Sequence, residues 1–587
     1  MTTILGISIS HDGTLSVVRD GAHVFSIAEE RLSRQKGHIG FPFRALEYVF
    51  AQGIADPSTV ATVGIAIDQF RKSSNRTLEF ELADDVPYYD IMNSPPPEGF
   101  AFRQRRFDRS QSPEEVRETV HARVAEILAG HGCAAPIEFV DHHLCHAASV
   151  TYATALPDPV VITLDGEGDG LSGTVSVLDR DRLQRLTSVP DDLSVGNVYS
   201  HVTRQLGYKV SRHEGKITGL AAFGDPERGT GLLRDAMAVK DGAFGMAASL
   251  GDRLSMTLSD SLAQGRVAFF RARPRKVAAR IAHLSAEDQA AAVQTWLEEV
   301  TCDFVRHWVG ATGKRNVALA GGVFANVKLN QRIADLPGVE AVFVCPNMGD
   351  GGNALGAAWV AHERFTGLPP ARTEMPHAYW GPAPTRGEID MALAASPLKL
   401  SVVEPEDLPA TVALAIHDGQ IVGWFQGAME YGPRALGHRS IVARPTERHL
   451  NEELNRRLSR TEFMPFAPSC LIEARDEVFV IDKPGTVHTA EFMTITYDVR
   501  PEWSERIGAV VHVDNTARPQ FVDAAHNPDY HAMIAAYRDL SGLPLVVNTS
   551  FNVHEEPIVC VPAEGLRALE DGVIDALAMG PYYVTAQ

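Results

Sequence analysis

Val160-Val161-Ile162-Thr163-Leu164-Asp165-Gly166-Glu167-Gly168-Asp169-Gly170 is the stretch on which the fold turns. A short apolar, β-branched run forms a strand, a turn rich in Asp and Gly follows, and Ser172–Leu178 returns as a second strand. The N-terminus carries the same pattern. A strand meets the tight turn His11-Asp12-Gly13, a second strand covers Thr14–Arg19, and a third covers His23–Ala28. Two strand–Asp-Gly–strand hairpins, one at Asp12 and one at Asp165, point to an internal duplication. A single Asp-Gly turn means little; a matched pair means more.

Duplicated hairpins of this kind build actin-like (RNase H-like duplicated) two-lobed folds, in which each lobe offers one turn to a phosphate or a metal. Between the hairpins lies Val140-Asp141-His142-His143-Leu144-Cys145-His146-Ala147-Ala148-Ser149, after the β-rich run Ile137-Glu138-Phe139. It reads as a strand opening into a helix. Residues four apart share a helix face, so His142 and His146 can present two imidazoles to one ion. His143 with His146 is a second possible pair, and a His-rich helix start with buried, hydrogen-bonded imidazoles is the bland alternative.

Downstream, Glu214-Gly215-Lys216 starts a helix with a charged pair, and Ser285-Ala286-Glu287-Asp288 caps a long amphipathic helix through Trp308. Two strand-to-Gly-loop-to-helix units follow. One is Val317–Ala320 with Gly321, Gly322 and Asn326; the other is Val342–Cys345 with Gly349-Asp350-Gly351-Gly352-Asn353. Glycines at such junctions let backbone N–H groups and a helix N-terminus approach an anion. Asp350 sits where a third metal ligand or a ribose-binding carboxylate belongs. Ser112-Pro113-Glu114-Glu115 caps a helix ending near Gly130, and the arginines before it (Arg103, Arg105, Arg106, Arg109) read as a solvated loop.

The Pro-rich run 369–384 reads as a linker between an N-terminal domain, 1–368, and a second α/β domain, 385–587. In the second domain the strand Ile421–Gln426 leads into the Gly/Arg-rich loop Met429–Ser440, which holds Arg434 and Arg439. Arg444, Arg456, Arg457 and Arg460 follow. Guanidinium groups grip phosphate bidentately, so a triphosphate site is the natural reading, with Arg456 and Arg457 individually more in keeping with a solvated helix face. His512–Arg518 and Asn548–Asn552 add polar loops beside apolar strands.

The totals bound the rest. The 587 residues exceed one core, and 45% hydrophobic with 22% charged residues describes a globular protein. A net charge of −20, from 54 basic and 74 acidic residues, argues against a broad nucleic-acid or anionic-membrane surface. The six cysteines form no Cys-x-x-Cys pair, so neither a disulfide scaffold nor a zinc ribbon fits. With no signal-peptide pattern and no apolar run of spanning length, a cytoplasmic enzyme without membrane or nucleic-acid partners is expected. No heptad repeat gives an oligomeric state.

Taken in order, His11-Asp12-Gly13, Glu29-Glu30-Arg31, His142-His143-Leu144-Cys145-His146, Asp165-Gly166, Glu214-Gly215-Lys216, Gly321-Gly322-Val323, Gly349-Asp350, Gly432–Gly437, Pro465-Phe466-Ala467-Pro468, Asp514–Arg518 and Asn548–Asn552 resemble one family over nearly the whole chain. It is the ATP-dependent O-carbamoyltransferases of antibiotic and nodulation-factor biosynthesis. The resemblance implies an actin-like first domain and a YrdC-like α/β second domain. The second would turn carbamoyl phosphate and ATP (with Mg2+) into carbamoyl-AMP. The first would pass the carbamoyl group to a hydroxyl of a small-molecule acceptor. His142, His146 and Asp350, with Asp165 beside them, would hold a divalent metal, Fe2+ above others. Gly168, Lys216, Gly321, Gly322 and Asn326 would line the nucleotide site of the first domain. Arg434, Arg518, Asn548, Arg439 and Asn552 would bind nucleotide and carbamoyl phosphate in the second. Many family members have Lys-x-Arg-Glu before Pro-Phe-Ala-Pro; here Ser459-Arg460-Thr461-Glu462-Phe463-Met464 stands there, so the resemblance does not fix the cation for carbamoyl phosphate, and Arg460 is the one expected. Asp12 is the best-placed carboxylate to orient or deprotonate the acceptor hydroxyl. Arg31, Lys36 and the segment Asp84–Phe107 are expected around the acceptor, whose identity the side chains do not spell. The competing readings are a tRNA threonylcarbamoyl-transferase and an actin-fold small-molecule kinase.

Overall fold

The computed structural model describes residues 2–68, 112–250, 272–447, 449–459 and 465–587. Arg460, the four arginines from Arg103 to Arg109 and the Asp84–Phe107 segment lie outside the described residues. The chain divides into two compact units. The first comprises Met1–Ser33 and Gly37–Glu374, the second Arg34–Lys36 and Met375–Gln587.

The first unit contains the expected duplication. Strands β1 (Thr3–Ser8), β2 (Thr14–Arg19), β3 (Ala22–Ala28), β4 (Val60–Ile65) and β5 (Ile137–Phe139) form a sheet of order β3-β2-β1-β4-β5. Strands β6 (Val160–Gly168), β7 (Leu171–Asp179) and β8 (Arg182–Pro190) form a second sheet with β11 (Asn316–Ala320) and β12 (Ala341–Val344), ordered β12-β11-β6-β7-β8. Between them in sequence, β9 (Met237–Lys240) and β10 (Ala243–Met246) make a separate hairpin. In both five-stranded sheets the first strand runs antiparallel to the second and parallel to the fourth, and the fifth joins parallel at the edge. The repeated order is that of an actin-like domain built from two copies of one topology. The central strands are covered on both faces, and every residue of β1 and β12 is buried.

The helix Asn353–Thr366 sets the spacing of the unit's centre. It lies on the first sheet where β1 and β4 carry glycines. A Cβ on Gly6 would stand 1.8 Å from the Ala354 carbonyl oxygen, and one on Gly64 2.4 Å from that of Ala357. On its other side, a Cβ on Gly356 would meet the Cys145 carbonyl oxygen at 1.9 Å. Backbone thus packs on backbone, and the helices Asn353–Thr366 and His142–Thr151 are held with no side chain between them.

The second unit is a mixed eight-stranded sheet. Its strands are β13 (Leu400–Val403), β14 (Val422–Phe425), β15 (Arg439–Ala443), β16 (Ala467–Leu471), β19 (Gln520–Val522), β20 (Leu545–Ser550), β21 (Ala576–Met579) and β22 (Tyr582–Ala586), with β17 (Tyr497–Asp498) and β18 (Thr516–Ala517) forming a small ribbon apart. The order is β13-β22-β21-β14-β15-β20-β16-β19. The Pro-rich run is partly built into this unit: Gly381 N–H donates to Met429 O, Met429 N–H to Pro382 O, and Tyr379 bridges Glu430. Residues before proline favour extended backbone, which suits such edge pairing. Arg34, counted with this unit, donates to the carbonyls of Pro557 and Ile558 and pairs with Glu564 at 3.0 Å.

Candidate functional site

Asp141 decides how the histidines are presented. Its carboxylate accepts the Leu144 N–H at 2.7 Å, which caps the helix so that His142 is its first residue. His142 and His146 then share a face, with their Nε2 atoms 3.1 Å apart. His143 turns away, its Nδ1 3.0 Å from Thr163 Oγ1. Of the two pairs left open by spacing, His142 with His146 is the one that converges.

Two carboxylates complete the cluster. Asp165 lies in β6 where its pairing with β7 breaks register, which frees the side chain from the ladder. Its Oδ2 stands 3.5 Å from His142 Nε2 and 4.0 Å from His146 Nε2, and its Oδ1 accepts the Gly322 N–H at 2.9 Å. Asp350 opens the short turn before the helix Asn353–Thr366, and its Oδ1 lies 3.4 Å and 3.5 Å from the same two nitrogens. One atom from each of the four buried residues lies within 4.8 Å of all the others. Ligands bonded at about 2.1 Å to one ion are about 3–3.5 Å apart. Buried Asp350 Oδ1 makes no hydrogen bond among the described residues, so it is available as a ligand. The four residues therefore fit a divalent ion. Asp169 steadies the rim, accepting the N–H groups of His142 and Asp68 at 2.8 Å and 3.0 Å.

Gly168 leaves room for this arrangement. A Cβ there would stand 2.1 Å from His142 Cδ2. Gly321 (φ 103°) and Gly322 form the loop beside Asp165. Asn326 caps the helix Val327–Ala334 through Leu329 N–H and exchanges amide hydrogen bonds with Gln294, to which Tyr199 also donates. Lys216 is buried in the helix Glu214–Leu220.

His11, which the sequence reading quoted without a role, is the principal addition. Its Nδ1 is 3.1 Å from Asp350 Oδ2 and its Nε2 is 3.5 Å from Asp12 Oδ2, so it links a cluster carboxylate to the hairpin carboxylate. Burial opposes its charge, but Asp350 and then Asp12 outweigh this and push His11 up to about 10. His142 is likewise pushed up to about 9, against burial, by Asp350 and Asp165. His143 goes the other way, to about 3, from burial and then from the neighbouring His142 and His146 rings. Asp12 keeps 42% side-chain exposure, which describes a carboxylate in an open recess. Arg31, expected near the acceptor, is buried and paired with Glu30 at 3.2 Å; Lys36 falls in the second unit. The position of His11 directly before Asp12 on the turn was the available signal for its role.

In the second unit the loop after β14 is pinned from all sides. Glu430 Oε1 accepts the N–H groups of Leu436, His438 and Arg439 at 2.8, 2.9 and 3.0 Å. Asn548 Nδ2 donates to Ala435 O, Gln520 Nε2 and Tyr379 Oη to Leu436 O, and Asn527 Nδ2 to Gly437 O. Arg439, expected to touch ligand, is 0% exposed. Its guanidinium lies 3.9 Å over the Phe425 ring and donates to the carbonyls of Gln426, Gly427, His438 and Pro382. It braces the loop. Asn552 likewise spends its amide on Val553 O and Glu556 O. Arg434 on the loop and Arg518 before β19 are half-buried and remain candidates for ligand contact.

Comparison with known proteins follows the same division. The family model for the carbamoyltransferase N-terminus matches residues 3–359, and that for the carbamoyltransferase C-terminus matches residues 413–586. Nodulation protein NolNO of Sinorhizobium fredii is 30% identical, over 98% of this chain and 79% of its own length. Nodulation protein NolO of Bradyrhizobium diazoefficiens is 32% identical, over 76% of this chain and 78% of its own length. Among solved structures, T. kodakarensis HypF superposes with a TM-score of 0.31 at 14% identity, over 62% of this chain and 48% of its own. No helix among the described residues is long and apolar enough to cross a membrane.

Proposed function

The chain belongs to the carbamoyltransferase family, and from that premise we propose that it is a two-step O-carbamoyltransferase acting on a hydroxyl of a small natural-product acceptor. In the first step, in the C-terminal, YrdC-like unit, water releases phosphate from carbamoyl phosphate, an oxygen of the resulting carbamate bonds to the α-phosphorus of ATP, and the bond from that phosphorus to the pyrophosphate oxygen breaks, giving carbamoyl-AMP, pyrophosphate and phosphate. In the second, the acceptor oxygen bonds to the carbamoyl carbon in the N-terminal unit, the bond from that carbon to the AMP phosphate oxygen breaks, and the hydroxyl proton is lost.

The observation that carries this reading is the buried quartet His142, His146, Asp165 and Asp350, in the half of the chain matched by the N-terminal family model. When bound there, a divalent ion, with Fe2+ suited to two imidazoles and carboxylates, supplies Lewis-acid stabilisation of charge on the leaving phosphate or the carbonyl oxygen. The residues do the rest. Half-exposed Asp12 accepts a hydrogen bond from the acceptor hydroxyl and orients it toward the carbonyl carbon. His11 fixes Asp12 relative to Asp350 and, as an imidazolium, balances the local carboxylates. Gly321, Gly322, Asn326 and Lys216 line the nucleotide side of this unit. In the C-terminal unit Arg434, Arg518 and Arg460 bind phosphate oxygens and offset charge as pyrophosphate departs. Asn548 and Arg439 hold the Arg434 loop in register.

The test is incubation with carbamoyl phosphate, α-labelled ATP, Fe2+ and a panel of hydroxylated acceptors, following AMP and pyrophosphate. Both products should appear and should vanish in Arg434→Ala. A His142→Ala variant should still form carbamoyl-AMP yet not carbamoylate. ADP made without need of carbamoyl phosphate would instead make the protein a kinase.

A further inference from the structure

The first residue of the helix that follows Asp350 has a place in the ion site that its own chemistry contradicts as drawn. Asn353 is 0% exposed. Its Nδ2 lies 3.3 Å from His146 Nε2 and 3.5 Å from His142 Nε2. Asp350 Oδ1 stands 3.5 Å and 3.4 Å from the same atoms. The amide thus approaches both Nε2 atoms at the distances of the carboxylate ligand, most closely that of His146, and it also stands 3.5 Å from His142 Nδ1. The three-residue spacing from Asp350 along one helical turn explains why both side chains reach one point.

In the metal-free arrangement an NH2 group there is sensible, because it can donate to an imidazole lone pair. Loading an ion uses those lone pairs. The NH2 would then lose its acceptors and face a cation. Meanwhile the amide oxygen, Oδ1, is buried with no hydrogen-bond partner among the described residues. Half a turn of the amide about its Cβ–Cγ bond exchanges the two atoms, and Oδ1 has no hydrogen bond to break among the described residues. It brings a hard carbonyl oxygen to the position now held by nitrogen, a ligand type that divalent ions accept.

We infer that Asn353 supplies its side-chain oxygen to the ion held by His142, His146, Asp165 and Asp350, turning its amide as the ion enters. This rests on the reading of that quartet as a metal centre. The test uses the full chain stripped with a chelator and titrated with Co2+, with affinity read by competition against a chromogenic chelator and coordination by the visible absorption bands. Asn353→Leu keeps the size but removes the oxygen; it should weaken Co2+ binding about 10- to 100-fold and change the bands. Asn353→Asp restores an oxygen and should bind within a few-fold of the wild type or tighter. Thermal melting of the metal-free proteins reports folding separately. Wild-type affinity and bands in Asn353→Leu, or Asn353→Asp as weak as Asn353→Leu, would overturn the assignment. A wild-type chain that binds neither Co2+ nor Fe2+ would overturn the metal centre itself.

Discussion

Replacing Gly168 by Ala adds one methyl group and should empty the ion site. The added Cβ would lie 2.1 Å from His142 Cδ2, 2.3 Å from Cγ and 2.5 Å from Nε2. Non-bonded carbons settle at about 3.5 Å, so the ring or the hairpin must retreat by about 1.4 Å. Metal ligands tolerate errors of about 0.2 Å. The ring has little room, with the His146 and His143 rings at centroid distances of 4.7 Å and 5.2 Å and the Asp165 and Asp350 oxygens in front. Gly168 does not have positive φ, so alanine meets no backbone penalty there and the whole effect is the collision. We expect Co2+ affinity to fall at least about a hundredfold, beyond the usual effect of disturbing an outer-shell partner. Overpacking should lower the stability of the metal-free protein by only about 1–3 kcal/mol. Competition titration with Co2+ reads the first and thermal melting the second. Carbamoyl-AMP formation should survive while acceptor carbamoylation is lost. Wild-type Co2+ affinity in Gly168→Ala would refute the argument, because it would mean that His142 is not where the ion needs it.

Glu430→Ala should strand three N–H groups, two of them buried, and destabilise the second unit by on the order of 3 kcal/mol, whereas Glu430→Gln, which keeps an acceptor, should lose far less; chemical denaturation compares them. Arg439→Lys, which cannot reproduce the guanidinium's carbonyl contacts, should lower the melting temperature and the rate of adenylate formation while leaving KM for ATP near wild type, as expected of a brace and not of a ligand. His201 is pushed down to about 3 by burial, with Arg204 and Arg275 adding. Its folded-state value lies below the ordinary one of about 6.5, so the unfolded chain binds the extra proton. Stability is therefore fully present above pH 6.5 and declines as pH falls toward 3. A plot of melting temperature against pH should be shallower on its acid side in His201→Gln, and an unchanged slope would remove His201 from the account.

The duplicated hairpins were legible because a strand–turn–strand unit is local: an apolar run, a turn at Asp12 or Asp165, and a return strand lie close together in sequence. The pair His142 and His146 was legible for a similar reason, since a helix fixes which residues share a face, although only the Asp141 cap and the Thr163 contact of His143 chose between the two pairs. Arg434 and Arg439 look alike in sequence, both flanked by the loop's glycines. Folding buried Arg439 against Phe425 and four carbonyls and left Arg434 half-buried, a distinction made by burial and invisible to composition.

Short stretches of sequence were enough for the paired hairpins, the histidine helix, the duplication and the residue types able to hold a metal and phosphates. These follow from periodicity, turn chemistry and ligand preference, all properties of short stretches. It took the folded chain to show that His11 meets Asp350 and that Asn353 reaches the histidines, from positions far apart in the chain. Gly6, Gly64 and Gly356 let the helix Asn353–Thr366 settle backbone-to-backbone on β1, β4 and the histidine helix, and that close approach is what brings the ligands within reach of one ion.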